Sequence, residues 1–503
     1  MYDTLVRRIL ELAGTIPDKK AVVFRKECLT YKMLADAIVQ VGTRLKMQHI
    51  GAGDRVLVTA VSKPETFVMF LGVQYVGGTA VFIDKNATQA NALAIYDEVE
   101  ASVFYTDIRM KEEVPEQYHI LSQKALCKEV LSGDMLPAAE YELPDPESIA
   151  EILFTSGTTG RPKGVMLAYR SVFHILTNTK NGIGITPDDV TLMPLPLHHS
   201  LALRECRAVL WQGGTIVLQN GFTFATEIES NLDQHGCTGF VAVPVSMELL
   251  RGQMQDHFYE VMGRFRYMEI GAGALTVEQR KRLSAHLPNT IIHNTWGSSE
   301  TGGAVFTLVH EAVKSERTVA TIGKAIDTVE IRVLDAEGNA IKSDAEHPGR
   351  LALRGGMVMA GYWRREELTR DALRDGWLVT NDLVYLDDEG WIYMLGRTDD
   401  MINIGGEKLS PLEVENIACE YPHMKECACI GVADIKGALG QVPVLYVAVD
   451  DAYTEADLRK YLASRMERYK IPHAFVKVDA LPRNAMQKID RKAIRRLWSE
   501  GQE

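Results

Sequence analysis

The sequence predicts an α/β protein: a large N-terminal domain of stacked α/β sheets with a small β subdomain, then a small C-terminal α/β domain. Three observations carry this. The first 150 residues alternate between helical and strand patterning, which is the signature of a parallel sheet. From about Ile322 the texture changes to short strands and turns. A polar turn, Gly396-Arg397-Thr398-Asp399-Asp400, then separates an aromatic strand, 391–393, from a new start at Met401-Ile402-Asn403-Ile404. At 100–200 residues per domain, 503 residues fit this division.

In order along the chain, residues 34–45 have helical spacing, 55–61 form a β-branched run, 63–76 are helical, and 77–83 return to strand. Further strands are expected at 215–218, 239–243, 267–270 and 290–293, with amphipathic helices between them. The β subdomain begins with a strand at 329–334, turns at Asp335-Ala336-Glu337-Gly338, and resumes at 349–354. The expected division is 1–396 for the first domain, 397–400 for a hinge and 401–503 for the last domain.

Hydrophobic residues make up 46% and charged residues 24% of the chain, which excludes disordered and fibrous architectures. The formal charge of −12 repels polyphosphate backbones, so nucleic acid is a poor partner. The most apolar stretch, 67–78, is shorter than the roughly 20 residues a bilayer requires and is interrupted by Gln74. The N-terminal residues lack the long apolar core of a secretory signal, and a cytoplasmic location is expected. Seven scattered cysteines do not make a disulfide framework. The nearest approach to a metal pattern, Cys427-Ala428-Cys429 with Cys419 upstream, lies among apolar residues and reads as burial.

The stretch Thr155-Ser156-Gly157-Thr158-Thr159-Gly160-Arg161-Pro162-Lys163-Gly164 follows a strand-like lead-in. Its glycines let backbone amides turn toward an anion, and its hydroxyls and Lys163 add donors and positive charge, so it is suited to polyphosphate. No Gly-Lys-Ser/Thr closes it, which disfavours the Walker class of kinases and ATPases. Five further stretches follow in order: Leu195-Pro196-Leu197-His198-His199; Asn294-Thr295-Trp296-Gly297-Ser298-Ser299-Glu300-Thr301-Gly302; Asp375-Gly376-Trp377-Leu378-Val379-Thr380-Asn381-Asp382; the turn at 396–400 with Gly405-Gly406-Glu407-Lys408; and Leu481-Pro482-Arg483-Asn484-Ala485-Met486-Gln487-Lys488-Ile489. Taken alone, several are bland: a structural histidine pair, a capped helix start, a basic tail. Taken together and in this order, they resemble the adenylate-forming superfamily of acyl-CoA synthetases, nonribosomal peptide adenylation domains and luciferases.

The resemblance covers essentially the whole chain, and it implies roles. His199 gates an acyl tunnel, with His198 in place of the usual aromatic. Trp296 packs on adenine, and Gly271, Ala272, Gly273, Asn294, Thr295, Gly297, Ser298 and Ser299 surround the nucleotide. Glu300 helps hold Mg²⁺, for which one carboxylate beside phosphate oxygens suffices. Asp382 accepts the ribose hydroxyls, with Asn381 replacing a glycine in a residue type that tolerates left-handed backbone. Arg397 contacts ribose and phosphate, Asp399 is the pivot of a mobile C-terminal domain, and Gly405 and Gly406 line a pantetheine channel. Lys488 is the catalytic lysine, preceded by Gln487 where the family has glycine.

The implied enzyme is an AMP-forming acid–thiol ligase that uses ATP, Mg²⁺ and coenzyme A. A carboxylate attacks the α-phosphorus of ATP to give an acyl adenylate, and a thiol then displaces AMP. The stretch around Gly405-Gly406-Glu407-Lys408-Leu409-Ser410-Pro411 looks like an acyl-CoA synthetase rather than a carrier-loading enzyme. The alternatives are loading of a phosphopantetheinyl carrier protein and a nucleotide-binding relative impaired by Gln487. By the same resemblance the acid pocket draws on His199, 243–246, 271–274 and 301–303, small and apolar residues compatible with an aryl or medium aliphatic acid. Arg204, Glu205 and Arg207 are unexpected on a helix that relatives make apolar. One of them is a candidate reader of a second polar group on the acid, against an internal salt bridge or an interface contact.

Overall fold

The computed structural model describes residues 2–133, 135–155, 163–405, 407–434, 439–484 and 488–501. Two large sheets dominate it. The nine-stranded sheet runs, edge to edge, Lys324–Ala325, Gly302–Leu308, Ile291–Ser298, Tyr267–Ile270, Gly239–Ala242, Val190–Met193, Thr215–Leu218, Lys20–Phe24 and Glu27–Thr30. Its inner strands are parallel, and antiparallel pairs close both edges. The seven-stranded sheet runs Gly361–Tyr362, Lys163–Ala168, Ile149–Thr155, Thr79–Asp84, Arg55–Ala60, Val103–Tyr105 and Ile120–Leu121.

One continuous apolar core joins these sheets through the helices Leu5–Thr15, Tyr31–Met47, Pro64–Tyr75 and Ser200–Gln212. The sequence explains their differing faces. Helix Leu5–Thr15 starts at Thr4, whose side chain accepts the Arg7 amide, and buries one stripe: Leu5, Val6, Ile9 and Leu12. Helix Pro64–Tyr75 begins with proline at its first turn and is apolar all round, and it is buried almost throughout.

A six-stranded, mainly antiparallel sheet follows, built on Glu330–Leu334, Gly349–Arg354, Trp377–Leu386 and Ile392–Arg397. Beyond residue 401 come a two-stranded hairpin, Ile402–Ile404 with Glu407–Leu409, and a three-stranded sheet, Met424–Ala433, Gln441–Val449 and Ala474–Lys477, with a core of its own. Among the described residues no helix is long and apolar enough to cross a membrane.

The strand and helix assignments agree with the sequence except at ends. Val243 leaves the strand and becomes the residue before helix Pro244–Met254. The strand expected at 391–393 runs Ile392–Arg397, so Gly396 and Arg397 belong to it and the polar turn begins at Thr398. Asn381 does not take left-handed backbone: it lies within strand Trp377–Leu386, and Asp375 (φ 50°) and Gly376 (φ 79°) make the preceding turn.

Candidate active site

The site lies at the carboxyl ends of the parallel strands, where ligand crevices form in α/β sheets. Thr155 ends one strand and Lys163 begins its antiparallel neighbour, and the two are register partners. The residues between them, including Ser156, Gly157, Thr158, Thr159 and Gly160, lie outside the described residues, as do Gly406 and Gln487. The Lys163 ammonium stands 4.5 Å from the centre of the Tyr362 ring. The Tyr362 hydroxyl donates to Glu300 Oε1 at 2.8 Å, and the Met359 amide donates to the Glu300 carbonyl at 2.9 Å. Burial, reinforced by the Glu300 charge, pushes the Tyr362 hydroxyl well above the ordinary phenol range, so it remains a donor.

Glu300 sits at the tip of the hairpin that joins Ile291–Ser298 to Gly302–Leu308. The tip is tight: a Cβ on Gly297 would lie 1.8 Å from the Gly302 carbonyl oxygen, and Gly302 itself has φ +60°. Thr301 accepts the Ser298 amide at 3.2 Å, and the Ser298 hydroxyl accepts the Glu300 amide at 3.2 Å. These bonds fix the carboxylate's origin. Ser299 follows Ser298 at the same tip.

Asn294 and Thr295 stand just before Trp296, but their side chains are turned inward. Asn294 donates to the Ile270 and Gly273 carbonyls and accepts from Arg280 and the Leu275 amide, which pins the turn Gly271-Ala272-Gly273. A Cβ on Gly271 would lie 2.8 Å from Thr295 Oγ1. Ala272 takes left-handed backbone, φ 60°, without being glycine. A β-branched residue is far worse there, so Ala272→Val should lower stability by about 1–3 kcal/mol, read by denaturant unfolding, while Ala272→Gly should stay within about 1 kcal/mol of wild type.

Trp296 Nε1 donates to Asp382 Oδ2 at 3.2 Å, and Arg397 donates to Oδ1 at 3.2 Å. Burial raises the Asp382 carboxyl above its usual range, against the opposing pull of Arg397, Trp296 and Lys488. Asp399 is exposed and accepts from Asn381 Nδ2 at 3.1 Å. Gly405 has φ +61°, and its amide donates to the Leu439 carbonyl at 2.7 Å.

Lys488 comes from the far end of the chain. Asn484 brackets it, its amide donating to the Lys488 carbonyl at 2.9 Å and its side chain accepting the Lys488 amide at 3.1 Å. The segment is anchored by ion pairs of Arg483 with Glu426, Arg491 with Glu415, and Arg495 with Asp400. Lys488 is exposed to water, yet protein atoms crowd its ammonium. That crowding, then Arg397, lowers its ammonium below the ordinary lysine range, while Asp382 and Glu300 pull it back up. Burial, then His198 and Lys488, pushes His199 down to about 3, so His199 is neutral at physiological pH. Lys488 thus feels the charges of Glu300, Asp382 and Arg397 and bears on His199, groups contributed by two sheets and the turn before helix Ser200–Gln212.

Comparison with known proteins gives this arrangement a family. Residues 11–363 match the AMP-binding enzyme family model, and residues 413–488 match the AMP-binding enzyme C-terminal domain. The chain belongs to the AMP-binding enzyme family. It is 28% identical over 501 residues to the 2-succinylbenzoate–CoA ligase of Bacillus cereus, covering 99% of this chain and 100% of that protein. Among solved structures it shares the fold of o-succinylbenzoate CoA synthetase (MenE) from Bacillus subtilis in complex with the acyl-adenylate intermediate OSB-AMP, with TM-score 0.83, 24% identity and 97% of each chain covered. It likewise shares the fold of ATP-bound MatB from Rhodopseudomonas palustris, with TM-score 0.86, 24% identity and 99% of each chain covered.

In this AMP-binding enzyme, two residues at the site carried no signal in the sequence motifs. Tyr362, which orients Glu300, is 62 positions away from it, and only its place beside Gly361 and Trp363 marks it. Asp84, at the end of strand Thr79–Asp84, lies 3.8 Å from His198 Nε2.

The charged helix residues resolve as internal partners. Arg204 pairs with Glu269 and also donates to Thr179 and Thr295. Arg207 pairs with Glu151, and Glu205 accepts from Tyr267. All three are buried and engaged by protein, so of the alternatives the sequence left open the structure has the internal salt bridge, not a free reader of a substrate group. Cys427 and Cys429 are buried, and among the described residues no group of three or more His, Cys, Asp or Glu is placed to hold a metal.

Proposed function

We propose that this AMP-binding enzyme is an ATP-dependent carboxylic acid–CoA ligase of the AMP-forming type. The supporting observation is the convergence of Lys488 with Glu300, Asp382, Arg397 and His199. A ligase of this kind must first bring a carboxylate up to a triphosphate, so its main barrier is charge repulsion. Lys488 lies between acid and α-phosphate, Thr155 and Lys163 flank the segment for the β and γ oxygens, and Asp382 with Arg397 holds the ribose. Glu300 is chemically suited to Mg²⁺, since one oriented carboxylate leaves the other positions to phosphate and water oxygens, and the metal would neutralise phosphate charge. Trp296 offers a flat face for adenine, and its indole N–H already braces Asp382.

The thiol step requires access from another side. Residues 401–503 form the mobile unit, 397–400 the hinge and Asp399 the pivot, with Gly405 and Gly406 on the thiol channel. Asp399→Pro should leave pyrophosphate release nearly intact and suppress thioester formation, measured as separate half-reactions; equal loss of both removes the pivot role. The enzyme works in the cytoplasm, on an aryl or medium aliphatic acid.

The reading is tested by acid-dependent ATP–pyrophosphate exchange over a panel of acids that begins with 2-succinylbenzoate, the acid named for its relatives. Product mass then distinguishes CoA from a phosphopantetheinylated carrier as acceptor. No pyrophosphate release with any acid overturns the ligase reading.

A further inference from the structure

The turn that leads into helix Ser200–Gln212 carries two imidazoles side by side. The ring centres of His198 and His199 are 3.9 Å apart, with the planes tilted by 51°. His198 Nε2 faces Asp84 Oδ2 at 3.8 Å. His198 Nδ1 and His199 Nε2 are buried with no hydrogen-bond partner. A phenyl ring at position 198 would stack on His199 and do nothing more. An imidazole facing a carboxylate stacks and also offers a place for a proton.

The Lys488 charge bears on His199, so on the acid-ligase reading the carboxylate served by Lys488 comes to the side of this pair. A buried polar atom without a partner is costly, and two of them beside an acid site suggest a group supplied from outside the protein.

We propose that His198, held by Asp84, is a specificity-determining residue that carries a titratable positive charge at the acid site and strengthens capture of the carboxylate as pH falls. The proposal rests on the acid-ligase reading. Burial, the largest influence, and the Lys85 charge hold the His198 cation below the ordinary histidine range in the free protein, while Asp84 pulls it back up. His199 does not compete for the proton, being neutral until far below the working range. An incoming carboxylate adds a second negative neighbour, so the acid and the proton bind together.

The KM for the best acid, measured by ATP–pyrophosphate exchange at saturating ATP, should be roughly three- to tenfold lower at pH 6 than at pH 8. His198→Phe should flatten that slope. Asp84→Asn, which keeps the ring, should move the gain in affinity to lower pH. An equal slope in His198→Phe, or none in the wild type, overturns the proposal.

A second measurement does not depend on turnover. With labelled histidine, the His198 resonance, assigned by its loss in His198→Phe, should titrate between pH 5 and 8 once the acid is bound, with a lower midpoint in the free enzyme and a lower one again in Asp84→Asn. A ring that stays neutral across that range with acid bound also overturns it. An enzyme that exchanges no pyrophosphate while the His198 resonance titrates as expected overturns the ligase reading instead.

Discussion

Lys488→Ala should lower acid-dependent ATP–pyrophosphate exchange by roughly 100- to 1000-fold, the usual cost of removing a charge placed where a transition state becomes more negative. The thioester half-reaction, started from a supplied acyl adenylate, should fall far less, because no polyanion has to be approached there. Equal loss in both steps would reduce Lys488 to a structural residue. Its surroundings sharpen the expectation. The ammonium is lowered by crowding and by Arg397, and works only while charged, so adenylation should fade on the alkaline side before that of an ordinary surface lysine would. Lys488→Arg retains charge but not shape, since a planar fork replaces a compact ammonium, and should recover only part of the loss.

Arg204→Ala should destabilise the protein by about 3–5 kcal/mol, read by denaturant unfolding, because it leaves Glu269 buried without its counterion. Nearby Glu205 is already held far above the usual carboxyl range by burial and by the Glu269 charge, so this region disfavours an uncompensated negative charge. The double variant Arg204→Met with Glu269→Leu should cost much less than the single one, since removing both partners strands no charge. A loss under about 1 kcal/mol in Arg204→Ala would mean that water or rearrangement reaches Glu269. A stable variant with a changed acid profile would restore the substrate-reading role that the sequence suggested.

Much of this architecture was legible because local patterning and tertiary placement agree. The run at 55–61 and the glycine-led strand at 77–83 emerge as neighbouring parallel strands, Arg55–Ala60 and Thr79–Asp84, in register over their full length. The helix at 63–76 followed from its helical spacing and mostly apolar composition. Other features were beyond sequence reasoning because their cause lies in distant residues. Nothing near Arg204 announces Glu269, 65 positions away, and nothing near Asn294 announces Arg280 as the partner that fills its acceptor. Asn381 was expected to tolerate a left-handed backbone because a glycine-like position invited a local explanation; it lies within strand Trp377–Leu386 instead, where its carbonyl accepts the Thr398 amide at 2.8 Å and its side-chain amide donates to Asp399. The inward turn of Asn294 and Thr295 has the same origin: a motif marks which residues sit beside a ligand, whereas packing determines which of their atoms face it.

Glu300 sits on a hairpin tip of the nine-stranded sheet, Tyr362 and Lys163 belong to the seven-stranded one, and Asp382 to the six-stranded one. The space proposed for the nucleotide is therefore a seam between the three sheets. On the proposed function, a triphosphate seated there would act as mortar: its binding energy would resist the sheets sliding apart, and departure of its pyrophosphate would loosen the joint before a second substrate enters.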